Sequence, residues 1–313
     1  MNRVQGNQPE SQRKIFIVGD LAVDYVLTTE RLEGNINLVR PAPIVGGCAF
    51  NAAMAFKQIE GAIPIICASL GQDLPGQIIL DRLRQEEVIF AGNTFQGVMT
   101  GFITLIYGGE NNRILIDDNI DTANKYDKKM IERALAKWSI GKEDSILFFS
   151  YAIPRLGVKH CRALMEIFAN TGATLAVDLV PHRIYEMEDM VTQRKITLAD
   201  CNSLFKNVTL LIAEYRSLCG FTGRTPILGA DGYTEPPEEE ISCLCNMFSG
   251  QYFDVRYGVG EISTQVIYKR DYGVLECQKT GYEKRSKMER RGFGDILTAQ
   301  SIVKLGSLLA VHK

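Results

Sequence analysis

Short apolar, β-branched runs recur along this chain with amphipathic stretches between them, and this alternation limits the fold more than any other feature. Residues 14–18, 63–68, 145–149, 174–177 and 208–212 read as buried strands. Helical periodicity runs through 50–59, 76–85, 127–138, 158–170 and 295–310. A helix between successive strands is the connection that parallel strands require. The pattern therefore predicts an α/β fold with a doubly wound, mainly parallel sheet flanked by helices. With 313 residues, 46% of them hydrophobic, the chain is long enough to bury a substantial core.

Two regions interrupt the alternation, 25–40 and 100–118. In the second, residues 102–107 and 113–116 flank a turn-forming stretch at 108–112. Both read as antiparallel strands added to the main sheet, serving either as a small β lid over a ligand or as a plain sheet extension. A further β-rich run covers 252–277, and residues 236–240, Pro-Pro followed by three glutamates, read as a turn opening a helix. Residues 1–14 are expected to be a disordered tail and 15–313 a single domain, with lid segments at about 25–40 and 100–118.

Charge balance narrows the function classes. Thirty-five Lys and Arg against 37 Asp and Glu give a formal net charge of -2, so no global basic surface points to nucleic acid or membrane. A small-molecule substrate fits better. No apolar run approaches the roughly 18 residues of a membrane helix, and the polar N-terminal stretch lacks the apolar centre of a signal peptide. A cytoplasmic location is expected. Eight cysteines are spread out, with Cys243 and Cys245 too close for a CxxC motif, and are expected to be reduced. His160, His182 and His312 stand apart from one another, so no zinc site is expected.

Two constellations carry chemistry. The first is Gly19, Asp20 and Asp24 at the end of the first strand, with Gly46, Gly47 and Asn51 opening a helix. Open parallel sheets bind ligands at the carboxyl ends of their strands. A carboxylate there accepts hydrogen bonds from sugar hydroxyls, paired glycines admit close backbone approach, and Asn51 both donates and accepts. Taken singly, Asp24 also suits a turn, the glycines a loop and Asn51 a helix surface. The second constellation is Arg291, Gly292, Phe293, Gly294 and Asp295, leading into an apolar helix. Amides of a Gly-rich turn at a helix N-terminus form an anion hole, beside which Asp295 is placed to accept a proton from an attacking hydroxyl. The same Asp also suits a helix cap.

Together the two motifs resemble the signatures of the ribokinase-like (PfkB-type) carbohydrate kinases: a glycine pair with a following Asn, and a C-terminal GxGD. Gly71, Asp73 and Gly76 resemble the family's G-x-D-x-x-G turn, and Thr100 and Gly101 with the following hairpin resemble its lid strands. The resemblance implies phosphoryl transfer from ATP, with Mg2+, to a hydroxyl of a sugar or sugar-containing small molecule. Asp295 would be the base, with Gly292, Phe293 and Gly294 supplying the anion hole, and Asp24, Gly46, Gly47 and Asn51 forming the substrate pocket. Glu214 matches the Glu of the NxxE element that organises magnesium through water. Residues 255–260, including Arg256, Gly258 and Gly260, resemble the strand and turn that approach ATP, with Arg291 a further nucleotide contact. Lid strands in this family often mediate homodimers.

Several positions depart from the family pattern. Leu211 replaces the Asn of NxxE, residues 289–291 replace Asp-Thr-Thr, and Arg256 and Tyr257 replace Thr-Leu. The sequence stops at Lys313, soon after the helix that Asp295 begins, which implies a more open nucleotide site or one completed by another subunit. These departures keep open a catalytically degenerate sugar- or nucleotide-binding sensor, and a nucleoside kinase. Asp178 and Arg183 are similar to a D-x-N-x-R run of sugar-acid kinases but out of register, and read as structural. Ser150 and Tyr151 follow a strand where the family often places a substrate contact.

Overall fold

The computed structural model describes residues 12–29, 40–59, 61–108, 111–116, 126–150, 152–179, 188–227, 236–259, 262–281 and 293–311. Side chains are described throughout these segments except at 27–29, 40–42, 105–108, 111–116, 259, 262, 280–281, 293–296 and 307–311. Elements follow in the order β1 (Arg13–Val18), β2 (Ala22–Thr29), β3 (Arg40–Gly46), α1 (Cys48–Lys57), β4 (Ala62–Cys67), β5 (Ser69–Gly71), α2 (Leu74–Gln85), β6 (Ile89–Phe90) and β7 (Asn93–Phe95). Next come β8 (Phe102–Gly108), β9 (Asn111–Ile116), α3 (Lys128–Lys137), β10 (Ser145–Phe149), α4 (Ala152–Leu156), α5 (Val158–Asn170), β11 (Thr174–Leu179), β12 (Glu188–Asp189) and β13 (Arg194–Lys195). The remainder are α6 (Leu198–Phe205), β14 (Leu210–Glu214), α7 (Tyr215–Thr222), α8 (Glu238–Met247), β15 (Tyr252–Val259), β16 (Ile262–Lys269), β17 (Gly273–Gly281) and α9 (Phe293–Val311).

The main sheet has the order β17-β16-β15-β14-β11-β10-β1-β4-β6. Its strands are parallel from β6 to β15, and β16 and β17 extend it antiparallel. Alternation along β1 explains why it lies centrally. Phe16 and Val18 enter a core cluster packed by α3, α5, α6, α7 and α8, whereas Ile15 and Ile17 enter one packed by α1, α2 and α9. A strand apolar on both faces is stable only with helices on both sides. From β1 the chain first adds β4 and β6 on one side, then β10, β11, β14 and β15 on the other. The order thus reverses between β1 and β10, and such a switch point opens a crevice at the carboxyl edge.

Local chemistry sets the helix starts. Asp73 caps α2 by accepting from the Gly76 N–H at 2.9 Å, and Asp127 caps α3 by accepting from the Met130 N–H at 2.6 Å. Thr197 and Asp200 form a reciprocal capping box on α6. The three glutamates after Pro237 fill the first turn of α8, where negative charge meets the positive end of the helix dipole.

Three details differ from the sequence reading. β1 begins at Arg13, so residues 13 and 14 pair with Ala62 and Ile63 rather than joining the tail. Residues 1–11 lie outside the described residues. The strands at 25–40 and 100–118 do not extend the main sheet but form a separate one, ordered β3-β2-β8-β9. Its central pair, β2 and β8, is parallel because both strands leave the carboxyl edge of the main sheet, and the Val23 N–H reaches the Gly101 carbonyl at 3.1 Å. Residues 30–39 and 117–118 of these segments lie outside the described residues. All eight cysteines are reduced thiols, six of them buried. Among the described residues no helix is long and apolar enough to cross a membrane.

Candidate active site

After β1 the chain passes Gly19 and Asp20 at the switch point and turns into β2. The buried Tyr126 hydroxyl donates to the Gly19 carbonyl at 2.7 Å and fixes this turn. Desolvation raises the Asp20 carboxyl to about 6, against the opposing pull of Arg155. Asp24, only 4% exposed, lies on β2 in register with Ile44 of β3 and Ile103 of β8.

Gly46 ends β3 opposite Ala22, and Gly47 caps α1 with φ 90° and ψ 150°. That backbone conformation suits glycine alone. A Cβ there would also lie 2.4 Å from the Asp20 carbonyl oxygen and 3.0 Å from the Leu21 Cα. The start of α1 therefore rests directly on the β1–β2 connection, with the Ala49 N–H 3.4 Å from the same carbonyl. Asn51 follows in the first turn, half-buried, its own N–H donating to the Gly47 carbonyl at 3.1 Å. Gly46, Gly47 and the first turn of α1 with Asn51 thus meet the β1–β2 connection, and Asp24 lies further along β2.

Phe293, Gly294 and Asp295 form the first turn of α9, while Gly292, Arg291 and Gly260 lie outside the described residues. Thr298, one turn on from Asp295, reaches Asp178 at the carboxyl end of β11, and Gly306, two turns later, lies against Arg13 at the amino end of β1. Helix α9 therefore runs antiparallel to the strands. So does α1, from Asp20 at the end of β1 towards Ala62 at the start of β4, and the two helices pack together. Both present their N-termini, the positive ends of their dipoles, at the carboxyl edge of the sheet.

Glu214 ends β14 and stands exposed before α7, in register with Arg256 on β15. Partial desolvation raises its carboxyl, while Arg256 and Arg216 pull it down. Magnesium usually binds one or two carboxylates and keeps several waters beside substrate phosphates, and this exposed carboxylate at a strand end suits that mode. Among the described residues no cluster of three His, Cys, Asp or Glu side chains is arranged around a metal position. Leu211, at the position of the family's Asn, is fully buried in the core and contributes packing. Gly258 lies on β15 opposite Ser263.

Arg256 lies on β15 with its guanidinium turned into the fold. Its Nε and Nη2 donate to the Asp254 carboxylate at 3.0 and 2.7 Å, and its Nη1 donates to the Thr298 hydroxyl at 3.0 Å. Thr298 in turn donates to Asp178 at 2.5 Å, and desolvation raises the Asp178 carboxyl to about 6 although Arg256 opposes it. Asp178, read as structural, therefore belongs to a polar cluster beneath the first turns of α9. Arg183 and Tyr151 lie outside the described residues, and Ser150 is fully buried at the end of β10. Nothing local in the sequence announces this cluster, because its members come from three separate parts of the chain.

In chain order and fold, these elements correspond to known proteins. The ribokinase of Lactococcus lactis is 25% identical over 233 residues, covering 71% of this chain and 74% of that protein. The fold is ribokinase-like. Its architecture superposes on the ribokinase of Giardia lamblia with a TM-score of 0.70 at 15% identity, over 95% of this chain and 84% of that one. A PfkB family carbohydrate kinase of Listeria grayi gives a TM-score of 0.71 at 14% identity, over 94% and 88% of the two chains. No family model matches this sequence.

Proposed function

We propose that this chain is an ATP-dependent kinase that phosphorylates a hydroxyl of a sugar or sugar-containing small molecule. The observation that carries the reading is the shared placement of the α1 and α9 N-termini at the carboxyl edge, beside the switch point between β1 and β10. Such an edge concentrates positive dipole ends and backbone amides where an anionic phosphoryl group must be held. The likeness to ribokinases supports the same reading.

In this mechanism Asp24 and Asn51 bind and orient the sugar hydroxyls, and Gly47 lets the start of α1 rest directly on the β1–β2 connection. Asp295 accepts the proton of the attacking hydroxyl as its oxygen bonds to the γ-phosphorus and the bond to the ADP oxygen breaks. Amides at the start of α9 hold the charge that builds on the transferring group. Glu214 would hold magnesium through water, and the metal, when bound, neutralises charge on the nucleotide phosphates. The β2–β3 and β8–β9 strands cover the site and keep out water, which would otherwise compete as acceptor.

The test is ADP release from Mg-ATP with D-ribose, then with other sugars, sugar phosphates and nucleosides, comparing wild type with Asp295→Asn. The expected result is one acceptor class that stimulates release, with a loss of about 10²–10⁴-fold in kcat for Asp295→Asn and retained ligand binding. Binding of sugar or ATP by calorimetry without turnover on any acceptor would instead make the chain a non-catalytic sensor.

A further inference from the structure

Among the described residues a deeply buried polar assembly lies directly beneath α9. Asp254 is fully buried and Arg256, Gln265, Thr298, Ser301 and Asp178 are each at most 9% exposed. They come from β11, β15, β16 and α9. Ser301 donates to Asp254 at 2.7 Å, and Gln265 donates to Asp254 at 3.0 Å and to Ser301 at 2.7 Å. The Arg256 side chain lies at the centre, joined on one side to Asp254 and on the other to Thr298, which continues to Asp178.

The same helix also buries the apolar Leu297, Ala299, Ile302 and Leu305. Apolar contacts are non-directional and tolerate sliding and rotation of a helix. Charge-assisted hydrogen bonds fix both its depth and its rotation, because a displaced partner leaves a buried charge unpaired. Thr298 and Ser301 lie three and six residues beyond Asp295 on α9, so their bonds hold the turns that follow it. Helix-borne groups must hold their position to within a fraction of an ångström for proton transfer to be efficient.

We propose that Arg256 is a positioning residue that, through Thr298 and Asp254, locks the depth and rotation of the first turns of α9, the helix whose start carries Asp295, and that it is not a contact to the nucleotide. This rests on the kinase reading above for its catalytic consequence, but not for the docking itself. It also accounts for an arginine where the family commonly has threonine. The guanidinium supplies the positive charge that two buried carboxylates under one helix require.

Thr298→Val removes only the bridging hydroxyl and keeps the shape, so it tests the lock without removing a buried charge. Steady-state kinetics with Mg-ATP and the acceptor found above should show kcat reduced at least tenfold with the KM of ATP and of the acceptor within about twofold of wild type. Thr298→Ser should restore kcat. Hydrogen exchange of the amides of residues 296–302 should speed up in Thr298→Val and return towards wild type in Thr298→Ser, with global unfolding little changed. Arg256→Gln should show the same split. The proposal is overturned if Arg256→Gln raises the KM of ATP with kcat and exchange unchanged, which would make it a nucleotide contact, or if Thr298→Val alters neither kcat nor exchange. Absence of turnover in the wild type would sink the kinase reading, whereas the exchange measurement would still decide the docking.

Discussion

Replacing Gly47 with alanine tests the geometry at the mouth of the candidate site. The residue adopts φ 90° and ψ 150°, and a new Cβ would stand 2.4 Å from the Asp20 carbonyl oxygen. Holding a non-glycine residue in such a conformation costs about 1–3 kcal/mol. The close contact is with backbone of the β1–β2 connection, which cannot swing aside as a side chain would, and this overpacking adds about 1–3 kcal/mol. The sum is centred near about 4 kcal/mol. Unfolding entropy of about 2.1 cal/mol/K per residue gives about 0.7 kcal/mol/K for a chain of this length, so Tm should fall by about 6 °C. Gly61 provides the control, with φ 78° and nothing within 4 Å of the point where a Cβ would stand. Gly61→Ala should cost only about 1 kcal/mol, or about 1–2 °C. Urea unfolding and calorimetric melts of both variants give the comparison. Equal losses would refute the argument, because they would show that the contact with Asp20 contributes nothing beyond a positive φ. The same substitution should weaken acceptor binding in calorimetry, since Asn51 and Asp24 flank the displaced turn.

Asp178 gives a pH test. Its carboxyl stands at about 6 in the fold against an ordinary 3.8, so the native state holds its proton more tightly than the unfolded chain. Stability must therefore fall as pH rises from about 4 to about 6 and level off above, by at most about 3 kcal/mol from this group. Asp178→Asn should flatten that part of the urea-midpoint profile and leave the parallel contribution of Asp20. The opposite sign applies to Asp73, whose carboxyl is lowered: desolvation raises it, but hydrogen bonds from Thr100 and the Gly76 amide prevail. Asp73→Ala should cost about 1–2 kcal/mol near neutral pH, and less once acid has protonated the wild-type carboxylate. An unchanged difference at pH 3 would refute that linkage.

Much of the architecture was written locally. The strands β1, β4, β10, β11 and β14 are legible because a helix-flanked parallel strand must be apolar throughout. Helices α2, α3 and α5 are legible from periodicity and, for α2 and α3, from an aspartate at the start. Shorter helices escaped: α6 carries too little periodicity over eight residues, although its Thr197 and Asp200 spell a capping box. The separate β3-β2-β8-β9 sheet was not legible, since a parallel β2–β8 pair joins segments some 80 residues apart and no local pattern encodes that choice. At the site, Gly46, Gly47 and Asn51 stood out as a glycine pair with a following Asn at a helix start, and Asp24 by its place after the first strand. The bonding of Arg256 was not legible, since its partners Asp254, Thr298 and Ser301 come together only when α9 docks.

The position of β1 bears on how the protein is made. Ile15 pairs with Pro64 on one side and with Ser145 on the other. At about 5–20 residues per second, a ribosome takes roughly 4–16 s to travel from the first partner to the second. Throughout that interval the strand that leads into Gly19 and Asp20 has one edge of N–H and C=O groups without its neighbour, a template for pairing with other nascent chains. Synthesis on crowded polysomes is therefore the stage at which this fold most needs shielding, and a pause in translation before Ser145 would prolong the exposure.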